Sequence, residues 1–237
     1  MLRFLAIIRD TKCNTLHTNI GGILHVINPA KTAISREMAI GGVYVINLDR
    51  RTDRMEDFEK GMTEIELPFK RFSAIERKPG AIGCGLSHLA ILKEARELGL
   101  KNVLVFEDDF SPIVSKEEFW DEINYLFETQ KDFDVCMLAY AMIREEPYTD
   151  RLIKVLEAQA ASAYIVNQCF YDTLIDLYEK SASLLEKTGH HWLYANDQAW
   201  KTLQPSANWF AFKKRIGYQR ASMSDTGHEP VFRDYKV

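Results

Sequence analysis

The chain has 237 residues, 46% of them hydrophobic, with 30 basic and 34 acidic side chains and a formal charge of −4. That length suits one large α/β domain with a sizeable core, and the charge balance argues against the basic face of a nucleic-acid binder. Cys13, Cys84, Cys136 and Cys169 lie far apart with no Cys-x-x-Cys pair, so neither a zinc site nor a disulfide framework is indicated and a reducing, cytoplasmic setting is expected.

The apolar run Leu2–Ile8 is ended by Arg9-Asp10, too soon for the apolar region of a secretory signal. No apolar stretch approaches the length of a membrane span. The protein is expected to be soluble, reaching a membrane-borne substrate only from the surface or through a partner. Residues 1–41 read as an extension of uncertain structure, with candidate strands at 2–8 and 23–27. His17 and His25 lie there as structural or surface histidines. Residues 42–237 read as the main domain.

A buried strand begins at Val43-Tyr44-Val45-Ile46-Asn47-Leu48 and runs into Asp49-Arg50-Arg51-Thr52-Asp53-Arg54. Met55, Phe58 and Met62 then recur at helical spacing, with Thr52 as the expected N-cap. At the carboxyl end of a strand, Arg50, Arg51 and Arg54 with free backbone N–H groups would seat a diphosphate. Equally, they are three arginines on a solvated helix start. A short strand over 67–74 supplies the next step of a βαβ unit. Gly80 to Gly85 reads as a glycine-rich approach to a helix carrying Leu86, Leu89, Leu92 and Ala95, with Ser87 and His88 at its start. The lysine and spacing of a Walker loop are missing.

Val103-Leu104-Val105-Phe106 predicts a strand buried on both faces, and it stops at Glu107-Asp108-Asp109. Three carboxylates at a buried strand end repel one another and lose hydration, and a divalent cation is one neutraliser. Oxygen ligands suit Mg²⁺ or Mn²⁺, and ligands of open α/β sheets bind beyond the strand carboxyl ends. The alternative is a solvated acidic turn before Pro112.

Beyond it, 115–127 predicts a helix, 133–138 a buried strand, and 141–157 a polar loop facing an acceptor. A strand at 161–166 and a helix from Cys169 to Leu185 follow. Asn196 reads as an N-cap for a helix beginning at Asp197, which sits among His190, Trp192 and Tyr194, residue types that stack on and bond to sugars. Residues 217–228 read as a polar tail with little pattern.

Three segments, 43–54, Gly83-Cys84-Gly85-Leu86-Ser87-His88 and Leu104-Val105-Phe106-Glu107-Asp108-Asp109, resemble in order and spacing the family 25 glycosyltransferases of lipopolysaccharide biosynthesis and collagen galactosylation. The resemblance continues more weakly through 163–166, 196–198 and 222–225. It implies a GT-A fold, an α/β nucleotide-sugar domain with a mostly parallel mixed sheet flanked by helices. It also implies Mn²⁺ (or Mg²⁺) held by the acidic motif, here with a glutamate first.

By that carry-over Asn47, Leu48, Arg50, Arg54, Ser87, His88 and Asp108 contact or lie near a UDP-sugar donor. Glu107 and Asp109 hold the metal, with His228 as a third ligand from the tail. The family is classed as inverting, which needs one carboxylate base, and Asp197 is assigned that role. The expected reaction moves galactose or glucose to a glycan, lipid-linked saccharide or glycoprotein hydroxyl. The competing readings are a catalytically silent scaffold of the same fold and a Mg²⁺-dependent phosphohydrolase.

Overall fold

The computed structural model describes the backbone of residues 7–9, 16–20, 23–27, 40–227 and 231–233, and side chains over 40–227. The chain falls into two compact units, Met1–Ala39 and Ile40–Val237. In the first, β1 (Ile7–Arg9), β2 (Leu16–Ile20) and β3 (Ile23–Ile27) form an antiparallel meander.

The second unit is a mixed α/β layer structure. Its elements in order are β4 (Val43–Asn47), α1 (Thr52–Glu64), β5 (Lys70–Ser73), α2 (Gly80–Glu97), β6 (Asn102–Glu107), β7 (Phe110–Pro112), α3 (Lys116–Thr129), β8 (Val135–Pro147) and β9 (Leu152–Asn167). Then come α4 (Tyr171–Thr188), the single turns α5 (His191–Tyr194) and α6 (Asn196–Ala199), and β10 (Trp209–Phe212), β11 (Gly217–Gln219), β12 (Ser222–Ser224) and β13 (Val231–Arg233).

The central sheet runs β10-β8-β9-β6-β4-β5. Strands β5, β4 and β6 are parallel, and β9 joins antiparallel to β6. Alternation along β4 and β6 explains why both read as unbroken apolar runs. Tyr44, Ile46, Val103 and Val105 face a core built with α2 and α4. Val43, Val45, Leu104 and Phe106 face a second core built with Met55, Phe58 and Met62 of α1 and Phe119, Ile123 and Leu126 of α3. The chain leaves β4 for β5 on one side and returns through α2 to β6 on the other. The two connecting helices thus lie on opposite faces of the sheet, with β4 between β5 and β6, and this switch point opens a crevice at the strand carboxyl ends.

Several expected boundaries move. Helix α2 starts at Gly80 itself, so its glycines lie in the first turns of the helix. A Cβ at Gly80 would overlap the Asp225 carbonyl, and one at Gly83 the Ile75 carbonyl. The glycines therefore serve close backbone approach. The expected polar loop at 141–157 is instead the outer half of a long hairpin, β8 and β9, whose turn lies at 148–151. Repeated register shifts between these strands break the two-residue alternation that would have revealed them.

The 217–228 tail also carries strands: β11 pairs with β7, and β12 with β13. The cap of α1 is Arg51, with no side-chain bond from Thr52. For α6 the cap is Ala195, because the Asn196 side chain turns toward Cys84. Ser115 does cap α3, accepting from Glu118 N at 3.2 Å.

Candidate active site

At the crevice lies a cavity of about 640 Å³, within the size range of small-ligand sites. It is lined by Leu48, Arg50, Arg51 and Arg54 after β4, by residues 74–78 after β5, by Glu107, Asp108 and Asp109 after β6, and by Gln219 and residues 224–227. Segments far apart in sequence thus converge on one space because three parallel strands end together there.

Charge compensation at the acids includes a partner that was not expected. The Arg54 guanidinium lies 2.6 Å from both Asp108 Oδ1 and Asp109 Oδ2, so an arginine supplies part of the positive charge at the acid pair. Asn47 Nδ2 donates to Asp108 Oδ2 at 2.7 Å, and Gln219 Nε2 to Asp109 Oδ2 at 3.1 Å. Asn47 is itself fixed by Arg71, whose Nε donates to its Oδ1 at 2.9 Å. Asp109 Oδ1 is buried with no hydrogen-bond partner. Burial, then the charge of Glu107, push the Asp109 carboxyl up to about 7 against the pull of Arg54. Burial also raises Asp108, opposed by Arg54 and Asn47.

Glu107 faces the other way. His88 Nε2 lies 3.0 Å from its Oε1 and Cys84 Sγ 3.3 Å from the same oxygen. Burial pushes Glu107 up, but His88, Cys84 and Arg54 together outweigh it and hold its carboxyl below the usual range. His88 is fully buried, its Nδ1 2.8 Å from the Tyr164 hydroxyl. Ser87 is also buried, donating to Gly83 O and accepting from Ile75 N.

Arg50 and Arg51, expected at a diphosphate, both pair with Asp225, at 3.1 and 2.7 Å. Asp197 lies outside the cavity lining, on α6. It accepts from Ala160 N at 3.1 Å, where Ala160 has a positive φ of 72°. Burial raises the Asp197 carboxyl, against the bond from Ala160. His228 lies outside the described residues. Residues that sequence reasoning missed are Arg77 and Lys78, two cationic side chains of the cavity lining, and Gln219, Arg220 and Asp225. Arg77 and Lys78 had a signal, a basic pair just before the glycines, and Asp225 had the weak resemblance over 222–225; Gln219 and Arg220 had none.

Residues 79–188 match the family described as Glycosyltransferase family 25 (LPS biosynthesis protein). That span takes in Gly83 to His88 and Glu107 to Asp109 and leaves out Asn47, Arg54 and Asp197. A "Glycosyltransferase 25 family member" of Drosophila pseudoobscura pseudoobscura is 29% identical over 107 residues, covering 33% of this chain and 17% of that protein. A Bos taurus protein, "Probable inactive glycosyltransferase 25 family member 3", is 26% identical over 139 residues, covering 43% of this chain and 23% of its own. The chain therefore spans less than a quarter of either relative's length.

Among solved structures, a glycosyltransferase involved in the glycosylation of the major capsid of PBCV-1 overlaps 78% of this chain and 94% of its own. The TM-score is 0.49 at 8% identity, an overlap that carries no argument about activity. The match over 79–188 contains the strand-end acids and the Cys84–His88 segment, and over that stretch this chain is similar to the family 25 glycosyltransferases.

Proposed function

We propose that the chain is a metal-dependent, inverting hexosyltransferase that moves galactose or glucose from a UDP-sugar to a hydroxyl of a glycan, lipid-linked saccharide or glycoprotein. The observation that carries this reading is the cavity at the ends of β4, β5 and β6, where acids and arginines face one space. Cleaving the bond between sugar and diphosphate builds negative charge on the leaving phosphate. Preorganised cations stabilise that charge most in the transition state. Arg77 and Lys78 would supply it from this chain, with Arg50 and Arg51 doing so while shared with Asp225.

A divalent cation fits beside them, because Asp109 Oδ1 is buried and unpartnered and Asp108 and Asp109 together outnumber the one arginine on them. Asp109 with Asp108 would hold it, and it would supply Lewis-acid neutralisation of the diphosphate. Arg54 would share the acids with it. Asp197 is proposed as the base that takes the acceptor proton. A raised carboxyl pKa suits that role by making the carboxylate more basic.

The silent-scaffold reading draws support from one feature, the Arg54 guanidinium lying across both acids. The two readings part on turnover. Incubation with UDP-galactose or UDP-glucose and Mn²⁺ should release UDP in the wild type, and Asp109→Asn should lower that release at least tenfold. UDP binding with no release from either donor would favour the scaffold.

A further inference from the structure

Outside the acid pair, one cluster has the composition of a different kind of centre. Cys84 and His88 stand four residues apart on α2 and so project from the same face. That face meets Glu107 at the end of β6, and the sulfur, imidazole nitrogen and carboxylate oxygen all lie within 4.8 Å of one another. We propose that Cys84, His88 and Glu107 form a binding site for a thiophilic divalent cation of the zinc class, with an open coordination position toward the strand-end cavity.

Four observations support it. Zinc binds sulfur at about 2.3 Å and nitrogen or oxygen at about 2.0–2.2 Å, so the edges of its tetrahedron are roughly 3.3–3.6 Å. The separations of 3.3 Å for sulfur to oxygen and 3.0 Å for nitrogen to oxygen lie close to those edges, and sulfur lies within 4.8 Å of nitrogen. The far nitrogen of His88 meets the Tyr164 hydroxyl at 2.8 Å, the kind of partner that fixes the ring and tautomer of a metal-bound histidine. Asn196 is 94% buried, its Nδ2 has no partner, and its amide oxygen is 3.9 Å from Cys84 Sγ. An amide there can hold a water on the ion. Finally, Cys84 and Glu107 line the cavity while His88 is closed off. Three protein ligands with one accessible position is the pattern of a reactive rather than a structural site.

Binding needs no oxidant or reductant. The cation takes the Cys84 thiolate, one proton leaves to solvent, the His88 nitrogen lone pair and the Glu107 carboxylate complete the set, and every oxidation state is unchanged. The site borders the same cavity but uses neither Asp108 nor Asp109, the acids proposed for the donor-site cation, which face Arg54.

The test is titration of the chelator-stripped full chain with Co²⁺. One equivalent should give a thiolate-to-cobalt charge-transfer band with intense tetrahedral visible bands, displaced by Zn²⁺. Cys84→Ser should abolish the charge-transfer band, and Tyr164→Phe should weaken Co²⁺ binding about 10–100-fold. Asp109→Asn should leave the spectrum unchanged, which separates this site from a cation on the acid pair. If Cys84→Ser does not fold, X-ray absorption of the zinc-loaded wild type decides, with a sulfur neighbour at about 2.3 Å expected. No charge-transfer band, a band that persists in Cys84→Ser, or a zinc shell without sulfur would overturn the proposal. The three residues would then be a hydrogen-bonded group that only positions Glu107.

Discussion

Arg54 shows how one side chain can change the meaning of a motif. Three acids after a buried strand were legible as a charge problem, and Arg54 was legible as a cation near a ligand. Their direct pairing was not, because nothing in sequence spacing specifies which cation turns toward which carboxylate. Breaking a buried ion pair by removing one partner costs about 3–5 kcal/mol. Arg54→Ala should lose stability on that scale by denaturant unfolding, and saturating Mn²⁺ should recover more of it than it adds to the wild type. No recovery would mean that the acids do not accept a cation.

Asp197 gives a second residue-scale expectation. Its folded pKa is raised, chiefly by burial. The stability linked to this group is therefore fully present below the unfolded aspartate pKa and is lost as pH rises through the higher folded value. Asp197→Asn keeps an acceptor for Ala160 N without the buried charge. It should be more stable than the wild type at neutral pH, and the difference should vanish in acid. Equal unfolding midpoints at both pH values would contradict the assignment.

At the scale of elements, the helix and strand patterns were readable where one face is buried continuously. Strands β4 and β6 and the amphipathic faces of α1, α3 and α4 follow directly from apolar spacing. Hairpin β8–β9 did not, since its bulges scramble the alternation on which a strand reading depends. The start of α2 was misplaced for a related reason. Its glycines are helical, and their purpose appears only with the distant tail in place, where Gly80 N donates to Gly227 O and Ala81 N to Thr226 O. These bonds satisfy N–H groups that a helix start otherwise leaves free. Gly80→Ala would push a methyl group into the Asp225 carbonyl, and overpacking of this kind costs about 1–3 kcal/mol. Hydrogen exchange at residues 222–227 should accelerate in that variant, while the cores around β4 and β6 stay protected. Unchanged exchange in the tail would show that the contact is not what holds it.

Across the whole molecule, the site exists because the strand order reverses around β4, bringing three strand ends, the start of α2 and the tail to one cavity. The sequence announced the parallel unit and its acidic terminus. It left hidden the arginine pair on Asp225 and the Cys84–His88–Glu107 cluster, which join residues brought together only by the fold. No helix among the described residues is long and apolar enough to cross a membrane.

The central claim is that this cavity binds a nucleoside diphosphate with a divalent cation. A thermal-shift titration with UDP against a nucleotide panel, each with and without Mn²⁺, tests it most directly. A ligand bound only to the native state at a hundred times its dissociation constant adds about 2.7 kcal/mol, enough to move a melting curve. Stabilisation by UDP that requires Mn²⁺ and is lost in Asp109→Asn is the predicted result. A melting curve unmoved by every nucleotide, with or without the metal, would contradict the account.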